Sequence, residues 1–154
     1  MSLKVEDVMV EDVISVSEKA TVRKAAELMS KHEIGCLIVV KKGKPVGIVT
    51  ETDMVKRVIL EPLNPEEIKV GEIMSRPLVV GNPQMDLDEA SKLMRRRKIK
   101  KLPIVEKGRL VGLMTTTDIV RSPEVMKMMI RAIKRNLIKE IIVSIEEKLE
   151  LERP

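Results

Sequence analysis

The apolar positions of this chain fall into two runs of one design. "LIVVKKGKPVGIVT" (37–50) and "LPIVEKGRLVGLMT" (102–115) each read as two β-rich stretches around a polar turn that holds Gly43 or Gly108. Ahead of each run lies a helical stripe. Val22, Ala25, Ala26 and Met29 recur at i, i+3, i+4 and i+7, and Leu87, Ala90, Ser91 and Met94 repeat that spacing. Thr21 and Asp86 are the expected N-caps, and Val13-Ile14-Ser15-Val16 and Leu78-Val79-Val80 the expected first strands. After each run a second helix is expected near Asp53 ("DMVKRVIL") or Asp118 ("DIVR").

Gly47 and Gly112 are 65 positions apart, and the same offset pairs Val5 with Val70, Met9 with Met74, Leu28-Met29 with Leu93-Met94 and Asp53 with Asp118. One unit of β-α-β-β-α order is therefore written twice. The expected fold is mixed α/β with small sheets, its two repeats related by a pseudo-twofold axis that creates two equivalent clefts. Residues 1–61 form the first repeat, 62–69 a linker in which Pro62 and Pro65 stop the preceding helix, and 70–122 the second repeat. In the remainder, 123–154, Ser122-Pro123-Glu124 reads as the start of a long helix. Met126, Ile130, Ile133, Leu137, Ile141 and Ile145 make a stripe along it, widened by Met129, Ile138, Ile142 and Leu149. Such a stripe needs cover, from the chain's own repeats or from a second subunit; the second subunit is favoured, hence a homodimer.

Composition narrows the function. Phe, Tyr and Trp are absent, so no rings are present on which the bases of single-stranded nucleic acid would stack. Cys36 and His32 are the sole residues of their types, too few for a structural zinc site within one chain, and the chain has neither of the usual glycine-rich nucleotide loops. No catalytic base with an orienting partner stands out, and an enzyme is not expected. No apolar run approaches the roughly 20 residues of a membrane span. The amino terminus carries acids where a signal peptide would be basic and then apolar, so a cytoplasmic location is expected. Abundant Lys, Glu and Ile with few Asn and Gln match a thermophile's composition. The net charge is +5, concentrated in "RRRKIKK" (95–101). That run, from Arg95 to Lys101, supports nucleic-acid binding as the alternative function, although the acidic "EEKLELE" near the end of the chain opposes it.

Thr50, Thr52 and Asp53, like Thr115, Thr117 and Asp118, stand where a strand passes into a helix, with unpaired N–H groups that favour an anion. A threonine hydroxyl there donates to phosphate or caps the turn. The aspartate accepts from the vicinal hydroxyls of a ribose or serves as helix N-cap. On spacing alone both roles stay open.

The duplicated unit resembles a tandem pair of cystathionine-β-synthase (CBS) domains, a Bateman module. The resemblance rests on "VEDVM" and "VGEIM", on helices ending "ELM" and "KLM", on "IGCLIVV" and "IKKLPIV", and above all on "GIVTETD" and "GLMTTTD". It implies that Asp53 and Asp118 hold ribose hydroxyls and that the threonines contact phosphate. It also implies that Val13, Ile14, Ser15 and Cys36 in one copy line the base, and Leu78, Val79, Val80, Lys101 and Pro103 in the other. The implied ligand is AMP, ADP, ATP or S-adenosylmethionine, sensed by a regulatory module with no obligatory cofactor. Lys100 and Lys101 align with the uncharged Gly35 and Cys36, so the second cleft is expected to take the more highly charged ligand.

Overall fold

The computed structural model describes residues 3–152, which divide into two compact units, one ending at Thr115 and one beginning at Thr116.

In the first unit three of the four expected positions of each helical stripe are buried, with Ala26 and Ser91 half-buried. Val22, Ala25 and Met29 of α1 (Val22–His32) are buried, as are Leu87, Ala90 and Met94 of α4 (Leu87–Arg97). The hairpins repeat even in their irregularities. β2 (Cys36–Lys41) pairs antiparallel with β3 (Lys44–Thr50), and β4 (Lys101–Glu106) with β5 (Arg109–Thr115). Each pair has one register shift, after Val39 in one copy and after Ile104 in the other. Gly43 and Gly108 take φ +76°, the left-handed turn geometry that a side chain resists.

The first strands do not repeat. β1 is Ser15–Ser17, two positions later than expected, and runs parallel to β2. Its counterpart is a single bridge between Gly81 and Ile104, and the expected strand Leu78–Val80 does not form. Proline explains the difference. The second copy has Pro103 where the first has Ile38, and Pro83 where it has Glu18. The Glu18 N–H donates to the Val40 carbonyl at 3.0 Å; Pro83 has no N–H to repeat that bond. The ladder is left with the Gly81 N–H donating to Pro103 and the Val105 N–H donating to Gly81, both at 2.9 Å.

The opening segment of each repeat is exchanged. Val5 donates to the Met85 carbonyl at 2.9 Å, and Val10 bridges to Leu113 beside β5. Reciprocally, Val70 donates to the Ala20 carbonyl at 2.8 Å, and Ser75 bridges to Ile48 beside β3. Val70, Ile73 and Met74, around α3 (Val70–Ile73), belong to the first repeat's hydrophobic core together with Leu37, Val39 and Val49. The linker shares in this packing: the carbonyls of Pro65 and Ile68 accept from Arg23 and Val22, N–H groups at the start of α1 that have no intrahelical acceptor. Thr21 caps α1 as expected, accepting from the Lys24 N–H at 3.1 Å. Asp86 does not cap α4 with its side chain; the Lys4 ammonium, brought by the exchange, donates to it at 2.7 Å.

α2 begins at Glu51, two residues before the aspartate, and runs to Met54. The backbone then widens into a π-helical stretch over Val55–Ile59, with Leu60 donating to the Val55 carbonyl at 3.0 Å.

The second unit holds α5 (Thr116–Arg121) and α6 (Pro123–Leu151). Ser122 caps α6 as expected, accepting from the Val125 N–H at 3.4 Å and donating to Glu124 at 2.9 Å, with proline in the first turn. α6 has 29 residues, a length of about 43 Å, and none of them is buried in the single chain.

Candidate functional site

The first motif assembles around Asp53, a buried charged residue at 9% exposure. Its N-cap is Thr50, not Asp53 as the capping alternative had it, because the helix starts at Glu51 and places the aspartate three residues past the cap. The two side chains cap reciprocally. Thr50 Oγ1 accepts from the Asp53 N–H at 3.1 Å, and Asp53 Oδ2 accepts from the Thr50 N–H at 2.9 Å. One carboxylate oxygen is thus committed to the fold. The other, Oδ1, meets the Ser75 hydroxyl at 3.4 Å and Arg57 Nε at 3.9 Å. Arg57 also donates from Nη1 to the Ile73 carbonyl at 2.7 Å and to Met74 at 3.2 Å. Arg57 and Ser75 were not among the residues expected at the site; an arginine one helical turn after the aspartate was the available signal for the first.

The glycine of the motif is explained by packing. A Cβ on Gly47 would lie 2.6 Å from Met74 Sδ and 3.0 Å from the Ser75 carbonyl oxygen; on Gly112 it would lie 2.6 Å from Met9 Sδ. Gly47 and Met74 belong to different repeats, as do Gly112 and Met9, so the motif glycine and the "M" of "VEDVM" and "VGEIM" are two halves of one contact.

Cys36 begins β2 directly opposite Thr50 in the ladder. It is buried, and burial pushes its thiol above the ordinary range; the Lys101 ammonium beside it pulls partly the other way. Cys36 and Lys101 are counterparts 65 positions apart, so these two candidates meet each other, although the sequence assigns them to separate clefts. Val13 and Ser15 line a groove of about 730 Å3 with the hairpin turns, among Lys42, Lys44, Lys107 and Arg109, while Ile14 packs on the first repeat's core. The basic groove escaped the sequence reading because its cations are scattered through two turns. Thr52 is exposed and Pro103 buried. Lys100 and Val80 are exposed, while Leu78 and Val79 are half-buried.

Thr115 closes β5 in the first unit, whereas Thr117 and Asp118 lie in the first turns of α5 in the second. Asp118 thus holds the same place in its helix as Asp53 in α2. The run from Arg95 to Lys101 is divided by the fold: Arg95, Arg96 and Arg97 occupy the last turn of α4, where cations complement the helix dipole, and Lys101 enters β4. Among the described residues no cluster of His, Cys, Asp and Glu is arranged to hold a metal, and no helix is long and apolar enough to cross a membrane.

Comparison with known proteins agrees with this geometry. The chain is 38% identical over 122 residues to an uncharacterized protein of Methanopyrus kandleri, spanning 78% of this chain and 62% of that relative. It is 38% identical over 115 residues to the CBS domain-containing protein YhcV of Bacillus subtilis, spanning 75% of this chain and 81% of that one. In structure it is similar to the CBS domain pair of protein MJ0100 in complex with 5′-methylthioadenosine and S-adenosyl-L-methionine. The TM-score there is 0.70 and the identity 28%, over 79% of this chain and 95% of that one. A hexameric CBS-CP12 protein from bloom-forming cyanobacteria matches with a TM-score of 0.74 and 31% identity, over 82% of this chain and 75% of that one. The CBS domain family model matches residues 5–60 and again 70–125, and the chain belongs to that family as a tandem CBS domain pair.

Proposed function

We propose that this CBS pair is a non-enzymatic regulatory module whose two motifs bind adenosine-type ligands. The observation that carries the reading is the position of the aspartate. Asp53 spends one oxygen on the capping box and keeps the other turned to exchangeable partners, a hydroxyl and a guanidinium. A ribose diol can take their place without undoing the helix start. The MJ0100 pair, with its two adenosyl compounds, supports that ligand class.

Asp53 and Asp118 hold ribose hydroxyls; Thr50, Thr52, Thr115 and Thr117 face phosphate or the polar end of an adenosyl compound. The two motifs differ in affinity. A ligand at Asp53 displaces Ser75 and Arg57 from its Oδ1. The Asp118 motif takes AMP, ADP or ATP, and the Asp53 motif takes a neutral or cationic adenosyl group such as S-adenosylmethionine.

Calorimetric titration with the three nucleotides and S-adenosylmethionine, on the wild type and on Asp53→Asn and Asp118→Asn variants, tests this. Saturable binding is expected, with nucleotide binding lost in the Asp118 variant and S-adenosylmethionine binding in the Asp53 variant. Failure of all four ligands on folded, ligand-free protein overturns it.

A further inference from the structure

The groove of about 730 Å3 lies at the turn ends of both hairpins, lined by Lys42 and Lys44 of the first and by Lys107 and Arg109 of the second. Of the residues that the family resemblance places at the base, Val13 and Ser15 line it; the motif threonines and aspartates do not. The length of each hairpin keeps them apart. Cys36 pairs with Thr50 at one end of β2 and Lys41 with Lys44 at the other, and Lys101–Thr115 and Glu106–Arg109 repeat that arrangement. The strand between those ends is about 17 Å long.

The four cations are two pairs of counterparts. Lys42 and Lys107 stand 65 positions apart, as do Lys44 and Arg109. Each hairpin turns through a lysine at φ 51° and a glycine at φ 76°. Asn, Asp or Gly fits the first of those positions with less strain, yet both copies place lysine there. Among the described residues none of the four makes an ion pair, whereas the neighbouring Lys41 is paired with Glu18 at 3.8 Å. A lone basic turn is an ordinary solvated loop. Here two basic turns share one cavity, their four cations outweigh its single carboxylate, Glu11, and the apolar walls of Val13 and Leu110 focus the resulting field.

We propose that this groove is an anion site, separate from the two adenosine motifs, that takes a linear polyphosphate chain, free or carried by a nucleotide. Charge supplied by two hairpins suits an anion whose own charge is spread along its length. The lysines meet it as point charges, the Arg109 guanidinium holds two oxygens of one phosphate, and the Ser15 hydroxyl supplies one further donor. The inference does not depend on what binds at Asp53 or Asp118, and the probe that tests it has no ribose.

That probe is inorganic tripolyphosphate, titrated calorimetrically into the full chain at low salt. Saturable binding that weakens as salt rises is expected. Lys44→Gln combined with Arg109→Gln should weaken it by roughly tenfold or more, since each lost cation removes a charge-assisted bond. Lys31→Gln combined with Arg96→Gln removes the same charge from the last turns of α1 and α4 and should leave binding unchanged. All four positions are exposed, and circular dichroism checks that the variants fold. No binding to the wild type, or a groove variant that binds like the wild type, would overturn the proposal. An equal loss in the control variant would do so too, because net charge alone would then account for binding. So would a single-stranded RNA that binds through Lys44 and Arg109 more tightly than tripolyphosphate does. Competition by ATP in an Asp53→Asn, Asp118→Asn background separates the two sources: displacement assigns the chain to a nucleotide, and no displacement assigns it to free polyphosphate.

Discussion

The two CBS repeats share a hairpin and differ at its margins. β2–β3 and β4–β5 pair in the same register with the bulge at the same place. Beside them the first copy runs a three-residue parallel strand, and the second, with Pro83 and Pro103, makes one bridge. The aspartates sit alike in their helices; Arg57 and Ser75 stand beside Asp53, and the sequence positions that correspond to them in the other copy hold Ser122 and Val10. Duplication has preserved what the two halves need from each other and left the surroundings of each motif free to diverge.

The largest effect should come from the shared part. Gly47→Ala and Gly112→Ala each force a Cβ against a methionine and backbone of the other repeat, Met74 buried and Met9 half-buried. Each is expected to cost about 1–3 kcal/mol in urea unfolding, and by similar amounts. A loss confined to one glycine would break the equivalence of the two exchanges.

Next comes Arg57→Ser, which gives the first copy the second copy's residue. It removes the guanidinium's two bonds to the Ile73 and Met74 carbonyls, at a cost of about 1 kcal/mol. S-adenosylmethionine binding at Asp53 should tighten severalfold in the same titration. Unchanged affinity would mean that Arg57 does not compete for the carboxylate.

A smaller change is expected from Pro103→Ile combined with Pro83→Glu, which restores the first copy's donors. The new N–H at position 103 should become protected in hydrogen exchange, with a gain below about 1 kcal/mol. Free exchange at 103 would show that the prolines are not what shortens the second ladder.

The smallest effect is a pH dependence that involves one copy alone. Burial raises the Cys36 thiol above its ordinary value of 9.0. The folded state therefore holds that proton more tightly than the unfolded chain does. The resulting stability is complete below 9.0 and declines as pH rises through the higher folded value. Melting curves of the wild type should show a loss above pH 9 that Cys36→Ala lacks. Lys101→Ala should raise the thiol further and slow its alkylation.

Much of this was legible in the sequence. The 65-residue register fixed the hairpins, and the i, i+3, i+4, i+7 stripes fixed the faces of α1 and α4, because both patterns are local. What escaped was non-local. Nothing in "VEDVM" says that Val5 crosses to Met85, or that Met9 packs on Gly112. Asp86 is the N-cap residue of α4 as expected, but the exchanged segment brings Lys4 to its side chain, which makes no capping bond. At the site, the helix boundary decided the cap: two residues of difference turned Asp53 from an N-cap into the acid of a capping box. The shortened second ladder was readable in principle, since Pro83 and Pro103 cannot donate; the hydrophobic pattern of Leu78-Val79-Val80 outweighed them.

The reciprocal exchange has a consequence for biosynthesis. A chain emerges from the ribosome in order, and domains ordinarily close as soon as their own residues are out. Here the first hydrophobic core includes Val70, Ile73 and Met74, so it stays open until the whole linker and the start of the next repeat have been made. The second waits on nothing but its own residues, since Val5 and Met9 were synthesised first. Translation therefore imposes an order that the symmetry of the finished pair conceals, and a nascent chain stalled within the linker exposes an incomplete core to the cell's chaperones.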